Sequence, residues 1–321
     1  MMKQKHMLLI FIFCLITILG ACQKETATKK VIANVTNIPQ TENISEVSGD
    51  PTEIPDAAST PIITPSPESE DKSEVDNGPI LMPAPPFSYY IADNAIIKEI
   101  SPIKLKMISS EPNKITDIKD WFANNHLSLT SGKENAESSS EGADTTPTVF
   151  EDGNYLYEIE EADNILNIYD AASNNLLYSL DFSNYIESPE YKEEDYDFVQ
   201  QKIKWAAIKD DILYVSHSHN TYAESSNNMN AYITAINLED RSILWRSDAL
   251  VCNSVNFLII DDVIISGYGF TAEPDYLYQI NRYTGKVLDK ILLKTAPEYL
   301  IEKTSVLYVR TYNTDYQFTV Q

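Results

Sequence analysis

Three segments of the chain align with one another without gaps, and this repeat restricts the possible folds more than any other feature. Each segment has apolar strand residues, an Asp or Asn, a polar turn and a second apolar strand. The Asp or Asn can close a tight turn by accepting hydrogen bonds from nearby backbone. The pattern therefore predicts three copies of one hairpin. The segments are Ile168–Tyr178, Ala235–Trp245 and Gln279–Asp289, with Asp170, Asn237 and Asn281 at the turn and Asn174, Arg241 and Gly285 at the position that favours glycine.

A second apolar strand recurs upstream of these hairpins. Equivalent residues of this strand, Ile212, Val263 and Val306, are 51 and 43 residues apart. This spacing is close to the roughly 40–45 residues of a four-stranded propeller blade. The chain is therefore predicted to be all-β. The recurring strands are Asp211–Val215, Asp262–Ile265 and Ser305–Val309, with Asn154–Tyr157 as a weaker fourth copy.

The turn segment resembles the motif of PQQ-like β-propeller repeats, which runs Ala-x-Asp-x-x-Thr-Gly-x-x-x-Trp. The resemblance covers residues 149–321 and implies a β-propeller-like array of about four degenerate four-stranded repeats. Such an array is shorter than the seven or eight blades usual in that family, so an open, irregular β-sheet assembly is the alternative. The matching residues are Asp170 and Tyr178 in the first copy, Ala235, Asn237 and Trp245 in the second, and Thr284 and Gly285 in the third.

The N-terminus has the pattern of an export signal. Lys3 and Lys5 precede the apolar run Met7–Leu19, which is too short to span a bilayer as a helix. Leu19-Gly20-Ala21-Cys22 resembles a bacterial lipobox. We therefore expect residues 1–21 to be a lipoprotein signal peptide and Cys22 to be acylated, which would attach the mature chain to the extracytoplasmic face of the membrane.

The composition changes twice along the chain. Residues 22–85 are rich in Thr, Pro, Ser and Glu and lack an apolar period, which predicts a disordered tether. Residues 86–321 form the predicted domain, with N-terminal strands, a short helix and a mobile loop over 86–148 before the repeats at 149–321. The net charge of −24 argues against nucleic acid as a partner.

Two stretches depart from the strand pattern and predict short helices, at 114–124 and at 189–202. The second would begin after Ser188, with Pro189 at its first position. A stretch rich in Ser, Glu and Gly, 128–147, predicts a mobile loop. The inward-facing residues would be Ile115, Ile118, Trp121 and Phe122 in the first helix, and Tyr191, Phe198 and Val199 in the second.

The chain carries no established catalytic or cofactor signature, so no cofactor and no metal is predicted. Quinoprotein dehydrogenases are the enzymes among PQQ-like propellers, and their Glu, Asn and Asp metal ligands have no clear counterpart here. Cys252 is the one cysteine left beside Cys22 in the mature chain. It is expected to be a buried strand residue, because free cysteine is usually interior.

Polar and aromatic segments follow the recurring strands at 216–222, 267–273 and 310–316. Equivalent loops of a repeat array emerge on one side, so these segments are expected to converge as a rim. The histidines can ligate a metal or make surface hydrogen bonds. The aromatic residues can bind a sugar or peptide or pack at strand ends, and the arginine can bind an anionic group or form an internal salt bridge. The candidate ligand-binding residues are His217, His219, Tyr222, Tyr268, Phe270, Arg310 and Tyr312.

These features together predict a membrane-anchored, extracytoplasmic binding or assembly module without enzymatic activity. Its ligand would be a protein, peptide or glycan held at the rim. The competing hypothesis is a hydrolase of an envelope polymer. Such an enzyme would need two carboxylates roughly 5–10 Å apart in a concave pocket.

The last repeat unit, 297–321, contains only three predicted strands. An unpaired strand edge favours aggregation, so a fourth strand is expected from elsewhere in the domain. Propellers commonly complete their last blade in this way. The apolar segments before the first repeat are the candidates, and we predict that some part of 88–108 pairs with the C-terminal unit.

Overall fold

The structure is a computed structural model that describes residues 78–114, 117–125, 147–162 and 164–321. The predicted signal peptide, Cys22, most of the tether and the predicted loop up to residue 146 lie outside these ranges. Strands are the predominant secondary structure of the described part. They are β1 (Ile80–Leu81), β2 (Tyr90–Ile91), β3 (Leu105–Pro112), β4 (Thr148–Asp152), β5 (Tyr155–Glu160), β6 (Ile165–Asp170), β7 (Leu176–Asp181), β8 (Lys202–Lys209), β9 (Ile212–Ser218), β10 (Tyr232–Asn237), β11 (Ile243–Arg246), β12 (Leu258–Ile260), β13 (Val263–Tyr268), β14 (Tyr276–Asn281), β15 (Val287–Leu292), β16 (Pro297–Lys303), β17 (Val306–Thr311) and β18 (Thr314–Val320).

The strands form four sheets in which chain neighbours pair antiparallel. Sheet one contains β4 to β7, sheet two β8 to β11, sheet three β12 to β15, and sheet four β16 to β18. Each sheet is one sequence repeat, and the recurring strands of the sequence are the second strands β5, β9, β13 and β17. The predicted all-β, propeller-like array of four repeats is confirmed.

The three repeated hairpins have the same turn geometry. In each turn the residue at the glycine position has a positive φ and donates its backbone N–H to the carbonyl oxygen four residues earlier, at 2.8 Å. The Asp or Asn side chain also accepts a backbone N–H two or three residues further on. The predicted side-chain-closed turn is confirmed in all three copies. The φ values are 57° at Asn174, 62° at Arg241 and 71° at Gly285.

Apolar clusters join successive sheets. One lies between sheets one and two, a second between two and three, and a third between three and four. In the second cluster Trp245 of sheet two packs against Gly285 of sheet three, where an added Cβ would meet a ring carbon at 2.4 Å. The Trp245 indole also donates to the carbonyl oxygen of Arg282 at 2.9 Å. Only glycine leaves room for this contact.

Residues 78–112 form a belt that contacts the four sheets in turn. β1 pairs with β7 of sheet one, and β2 pairs with β11 of sheet two. Beside sheet three, the backbone of Ile103 exchanges two hydrogen bonds with the side chain of Gln279, at 2.7 and 3.0 Å. β3 then pairs antiparallel with β18 as the fourth strand of sheet four.

The position of β3 in the belt bears on the prediction that part of 88–108 completes the last repeat. Residues 105–108 lie in β3, and Leu105 pairs with Val320, so the prediction is confirmed. The contacts with the other three sheets were not predicted. Residues 80–82 fall within the predicted tether, yet Ile80 and Leu81 pair with β7 and Met82 is fully buried, so folded structure begins before residue 86.

The first predicted helix is present in shorter form. It is α1, Ile118–Asn124, and its N-cap is Asp117, whose carboxylate accepts the backbone N–H of Lys119 at 2.7 Å. Trp121 and Phe122 are buried as expected, whereas Ile115 lies outside the described residues. Within the described ranges, no helix has the length and apolar character needed to cross a membrane.

The second predicted helix is wrong. Segment 189–202 contains only a 3-10 helix, Glu193–Phe198, and of its predicted inward residues Val199 is buried while Tyr191 and Phe198 are exposed. Three consecutive acidic residues repel one another in a helical turn. Backbone hydrogen bonds to residues outside the segment also fix both sides of it. These are Lys192 N–H to the Ser225 oxygen and Gln201 N–H to the Ile186 oxygen, both 2.8 Å.

Candidate functional site

The first strands of the four sheets, β4, β8, β12 and β16, surround one cavity. Its volume is about 690 Å³, within the range of roughly 300–1,000 Å³ that is typical of ligand pockets. We call this space the central cavity. Sequence reasoning missed it, although first strands that recur in every repeat of an array are the elements expected to face a common axis. Its lining includes Phe122, Phe150, Glu151, Asp152, Lys204, Trp205, Lys209, Leu258, Ile260, Tyr299, Glu302 and Lys303.

Aromatic rings form the wall of the central cavity between sheets one and two. Phe150 of β4 is stacked between Tyr157, at 4.9 Å, and Trp205 of β8, at 3.6 Å between ring centroids. Trp205 is half-buried, whereas Phe150 and Tyr157 are buried. The Trp205 indole is therefore fixed by the stack behind it and still accessible to a ligand. Tyr299, on sheet four, adds a second half-buried ring to the lining.

Charged groups of both signs line the same cavity. Lys204, Lys209 and Lys303 supply the cations, and the ammonium of Lys209 donates to the backbone oxygen of Asp261. Carboxylates come from β4 and β16. Asp152 is exposed, yet it lies in a concave surface whose neighbours displace enough water to raise its carboxyl pKa. The cavity can therefore pair with both positive and negative groups of a ligand. The carboxylates are Glu151, Asp152 and Glu302.

The predicted rim is only partly formed. Tyr222 and Phe270 make an edge-to-face contact at 5.2 Å, and the Glu273 carboxylate accepts the backbone N–H of Ala223 at 2.8 Å. The segments 216–222 and 267–273 therefore meet. The aromatic ring of the third segment, Tyr312, is 76% exposed, and its backbone bonds to Ala296. The structure thus brings two of the three segments together.

Four of the candidate rim residues are buried and cannot form an exposed platform. The Tyr268 hydroxyl donates a hydrogen bond to the Glu273 carboxylate. Nη1 of Arg310 lies 3.7 Å from Oδ1 of Asp315, so of the two alternatives for this arginine the structure shows the internal salt bridge. The surface hydrogen bonding expected of the two histidines is wrong, because both are buried. The sequence predicted that this strand ends at Val215, but β9 continues to Ser218. His217 therefore belongs to the sheet.

Among the described residues, no group of three or more His, Cys, Asp or Glu side chains is arranged to hold a metal. His219 instead contacts the hydroxyl of Ser226 at 2.7 Å. Cys252 is buried as expected, but it lies in the connection between β11 and β12 and not in a strand. Burial raises the pKa of its thiol to about 12, which opposes formation of a reactive thiolate.

His219 predicts a loss of stability in mild acid. Burial lowers its pKa to about 4 in the folded protein, whereas an unfolded histidine has a pKa near 6.5. Below about pH 6.5 the unfolded state binds a proton that the folded state does not, so the free energy of unfolding should fall as the pH drops toward 4. The expected contribution is about 1 kcal/mol between pH 7.5 and pH 5.5.

The measurement is urea denaturation at several pH values, with His219→Gln as the matched variant. Glutamine can place an amide nitrogen near Ser226 but does not titrate. The difference in unfolding free energy between the two proteins should therefore change in this pH range. A constant difference would contradict the assigned burial of His219.

The chain matches no protein-family model and no curated protein sequence. Several solved structures are similar at low identity. The computationally designed Ika4 protein is 14% identical, with 57% of this chain and 96% of that chain covered and a TM-score of 0.36. BamB from Moraxella catarrhalis is 11% identical, with 56% of this chain and 57% of that chain covered and a TM-score of 0.30. A europium-containing methanol dehydrogenase is 8% identical, with 51% of this chain and 39% of that chain covered and a TM-score of 0.33. The order and pairing of the strands establish the propeller-like fold independently of these similarities.

Proposed function

We propose that this protein is a membrane-anchored, extracytoplasmic binding module that holds a peptide segment of a partner protein in the central cavity. The observation that carries the proposal is a 690 Å³ cavity that combines a stacked aromatic wall with charged groups of both signs. Ligand sites typically combine apolar walls with a few polar groups that fix orientation. The lipobox at Cys22 supports the membrane attachment.

The lining favours a peptide for a chemical reason. Leu258 and Ile260 on β12 and the Trp205 ring offer apolar contact for side chains. Lysines and carboxylates in the same cavity can pair with the charged side chains or the backbone of an extended segment. The acidic net charge of −24 would also favour approach of a basic partner.

Trp205 provides the test of the cavity. Trp121 and Trp245 are buried, so a ligand in the cavity should change the emission of Trp205 above all. Peptides selected from a random display library would be titrated by fluorescence and calorimetry. We expect Trp205→Ala to weaken binding at least tenfold, about 1.4 kcal/mol, because an aromatic anchor in a pocket commonly carries that much.

Tyr222→Ala is the matched control, since it removes an exposed ring from the rim and leaves the cavity intact. It should bind the selected peptides with unchanged affinity. If Tyr222→Ala abolishes binding and Trp205→Ala does not, the ligand occupies the rim and the cavity proposal is wrong.

A hydrolase of an envelope glycan is the second candidate. It is favoured by the carboxylates of Glu151, Asp152 and Glu302 in a cavity with aromatic walls, and by the raised pKa of Asp152, as a general acid requires. Purified cell-wall glycan would be incubated with the protein and with Asp152→Asn and Glu302→Gln. Release of reducing ends by the wild type, lost in both variants, would establish this activity in place of binding alone.

Membrane attachment is tested at Cys22. Without its thiol, Cys22→Ser cannot receive the diacylglyceryl group, and two acyl chains supply most of the anchoring. We expect the variant in the soluble fraction or the medium, as shown by immunoblotting of fractionated cells. A variant that stays with the membrane after a salt wash would contradict the lipobox interpretation.

A further inference from the structure

Arg246 is a fully buried cation between sheets one and two. It lies in β11, and its guanidinium carbon is 4.0 Å from the ring centroid of Tyr232 and 5.5 Å from that of Tyr185. The belt lies over it, with the Phe87 ring at 6.0 Å. No carboxylate of the described residues forms an ion pair with Arg246. Aromatic rings therefore surround this guanidinium in place of a carboxylate.

Most of the hydrogen-bonding capacity of Arg246 is unused. Nη1 donates to the Thr234 hydroxyl at 3.3 Å, whereas Nε and Nη2 have no partner among the described residues. Arg282 shows the contrast. It is also buried, but it forms ion pairs with Asp210 at 2.6 Å and with Asp262 at 2.9 Å. Among the described residues, the fold thus compensates Arg282 with two carboxylates and pairs none with Arg246.

Two further buried polar side chains in the same cluster lack partners. The His217 ring is stacked on the Tyr185 ring at 4.6 Å, and neither nitrogen of His217 nor the Tyr185 hydroxyl has a hydrogen-bond partner within the described ranges. Both side chains are fully buried. Arginine and tyrosine present hydrogen-bond donors, and a neutral histidine presents one donor. The cluster therefore offers unpartnered donors and a positive charge, and no carboxylate of the described residues pairs with that charge.

A buried charge without compensation costs several kcal/mol, and unsatisfied buried donors add to that cost. We propose that Arg246, Tyr185 and His217 form an internal binding site for a small monovalent anion of the halide class. The anion accepts hydrogen bonds from Nε and Nη2 of Arg246 and neutralises the guanidinium. This site lies under the belt and is separate from the central cavity, so it stands independently of the proposed peptide binding.

The electrostatics of the neighbours agree with this assignment. Burial lowers the pKa of Arg246 to about 10, which leaves the guanidinium charged at neutral pH. Burial and the nearby charge of Arg246 hold the pKa of His217 well below its usual range, so its ring is neutral. The hydroxyl of Tyr232 donates to the backbone oxygen of Phe87 at 3.0 Å and fixes the belt over the cluster.

The test is thermal melting of the full mature protein at constant ionic strength while sodium gluconate is replaced by sodium chloride or bromide. Gluconate, a much larger organic anion than either halide, serves as the reference. We expect the melting temperature to rise by a few degrees with halide, in a saturable manner. Arg246→Met should abolish the rise, and Arg282→Met is the matched control that should retain it.

Crystals grown with bromide provide a direct measurement that needs no variant. An anomalous peak within hydrogen-bond distance of Arg246 Nη2, together with the halide-dependent rise in melting temperature, would establish the site. A peak without the rise would mean binding at crystal concentration only and would overturn the proposal. Water alone in this position, or equal melting in gluconate and chloride, would also overturn it.

Discussion

Deleting residues 86–109 is expected to abolish cooperative folding of the whole β-domain and not merely to shorten the predicted tether. The deletion removes β2 and most of β3, so β18 of sheet four keeps β17 but loses its outer neighbour. It also removes Ile91 and Ala95 from the cluster between sheets two and three, and Ile100, Ile103 and Leu105 from the cluster between sheets three and four. These side chains are partly buried, so each contributes less than the roughly 1.5–3 kcal/mol of a fully buried aliphatic side chain. Their combined loss is still large against the about 5–15 kcal/mol by which a domain is stable.

Circular dichroism during heating would measure the effect, which should be the loss of a single sharp transition. The control removes 24 residues, 40–63, from the predicted tether and should melt like the parent protein. An unchanged melting temperature after deletion of 86–109 would show that the belt does not support the sheets.

Replacement of Trp245 by alanine is expected to cost about 3–5 kcal/mol of unfolding free energy, the usual range for a large buried side chain. The indole is buried between sheets two and three, against Gly285 and 5.9 Å from the Tyr214 ring. Its loss leaves a cavity and deprives the Arg282 carbonyl of its donor. Urea denaturation would measure the change, and Trp205→Ala, at a half-buried position, should cost less.

The contribution of the contact between Trp245 and Gly285 to stability can be isolated with a second substitution, at Gly285. Gly285→Ala alone should destabilise strongly, because the new Cβ meets the Trp245 ring at 2.4 Å and φ is 71°. In the Trp245→Ala background the ring is gone and only the backbone strain remains. The two effects should therefore be less than additive. Full additivity would show that the two residues do not interact.

The features that the sequence predicted correctly are local or follow from the repeat. The turn at Asn281 closes on its own backbone, so its geometry depends on few neighbours. The pairing of β3 with β18 follows because an exposed edge needs a partner. In contrast, segment 189–202 has helical spacing but is fixed by contacts with Ser225 and Ile186, which no local pattern reveals.

The candidate site was the least predictable part. The sequence pattern places the rim residues in loops, but strand length is set by pairing with neighbouring strands. β9 pairs with β10 far enough along the chain to bury His217. The central cavity depends on four first strands that are distant in sequence. The sequence of a single strand such as Lys202–Lys209 shows an aromatic residue and three lysines, but not which residues of other strands face them.

The belt also determines how the domain would respond to mechanical load. Tension applied from the N-terminal side reaches β1 and β2 first, and each of these is paired over only two residues. β3 is eight residues long and should resist longest. Pulling would therefore peel the belt away in steps, beginning at sheet one and uncovering Arg246 beneath Phe87 before sheet four loses its outer strand.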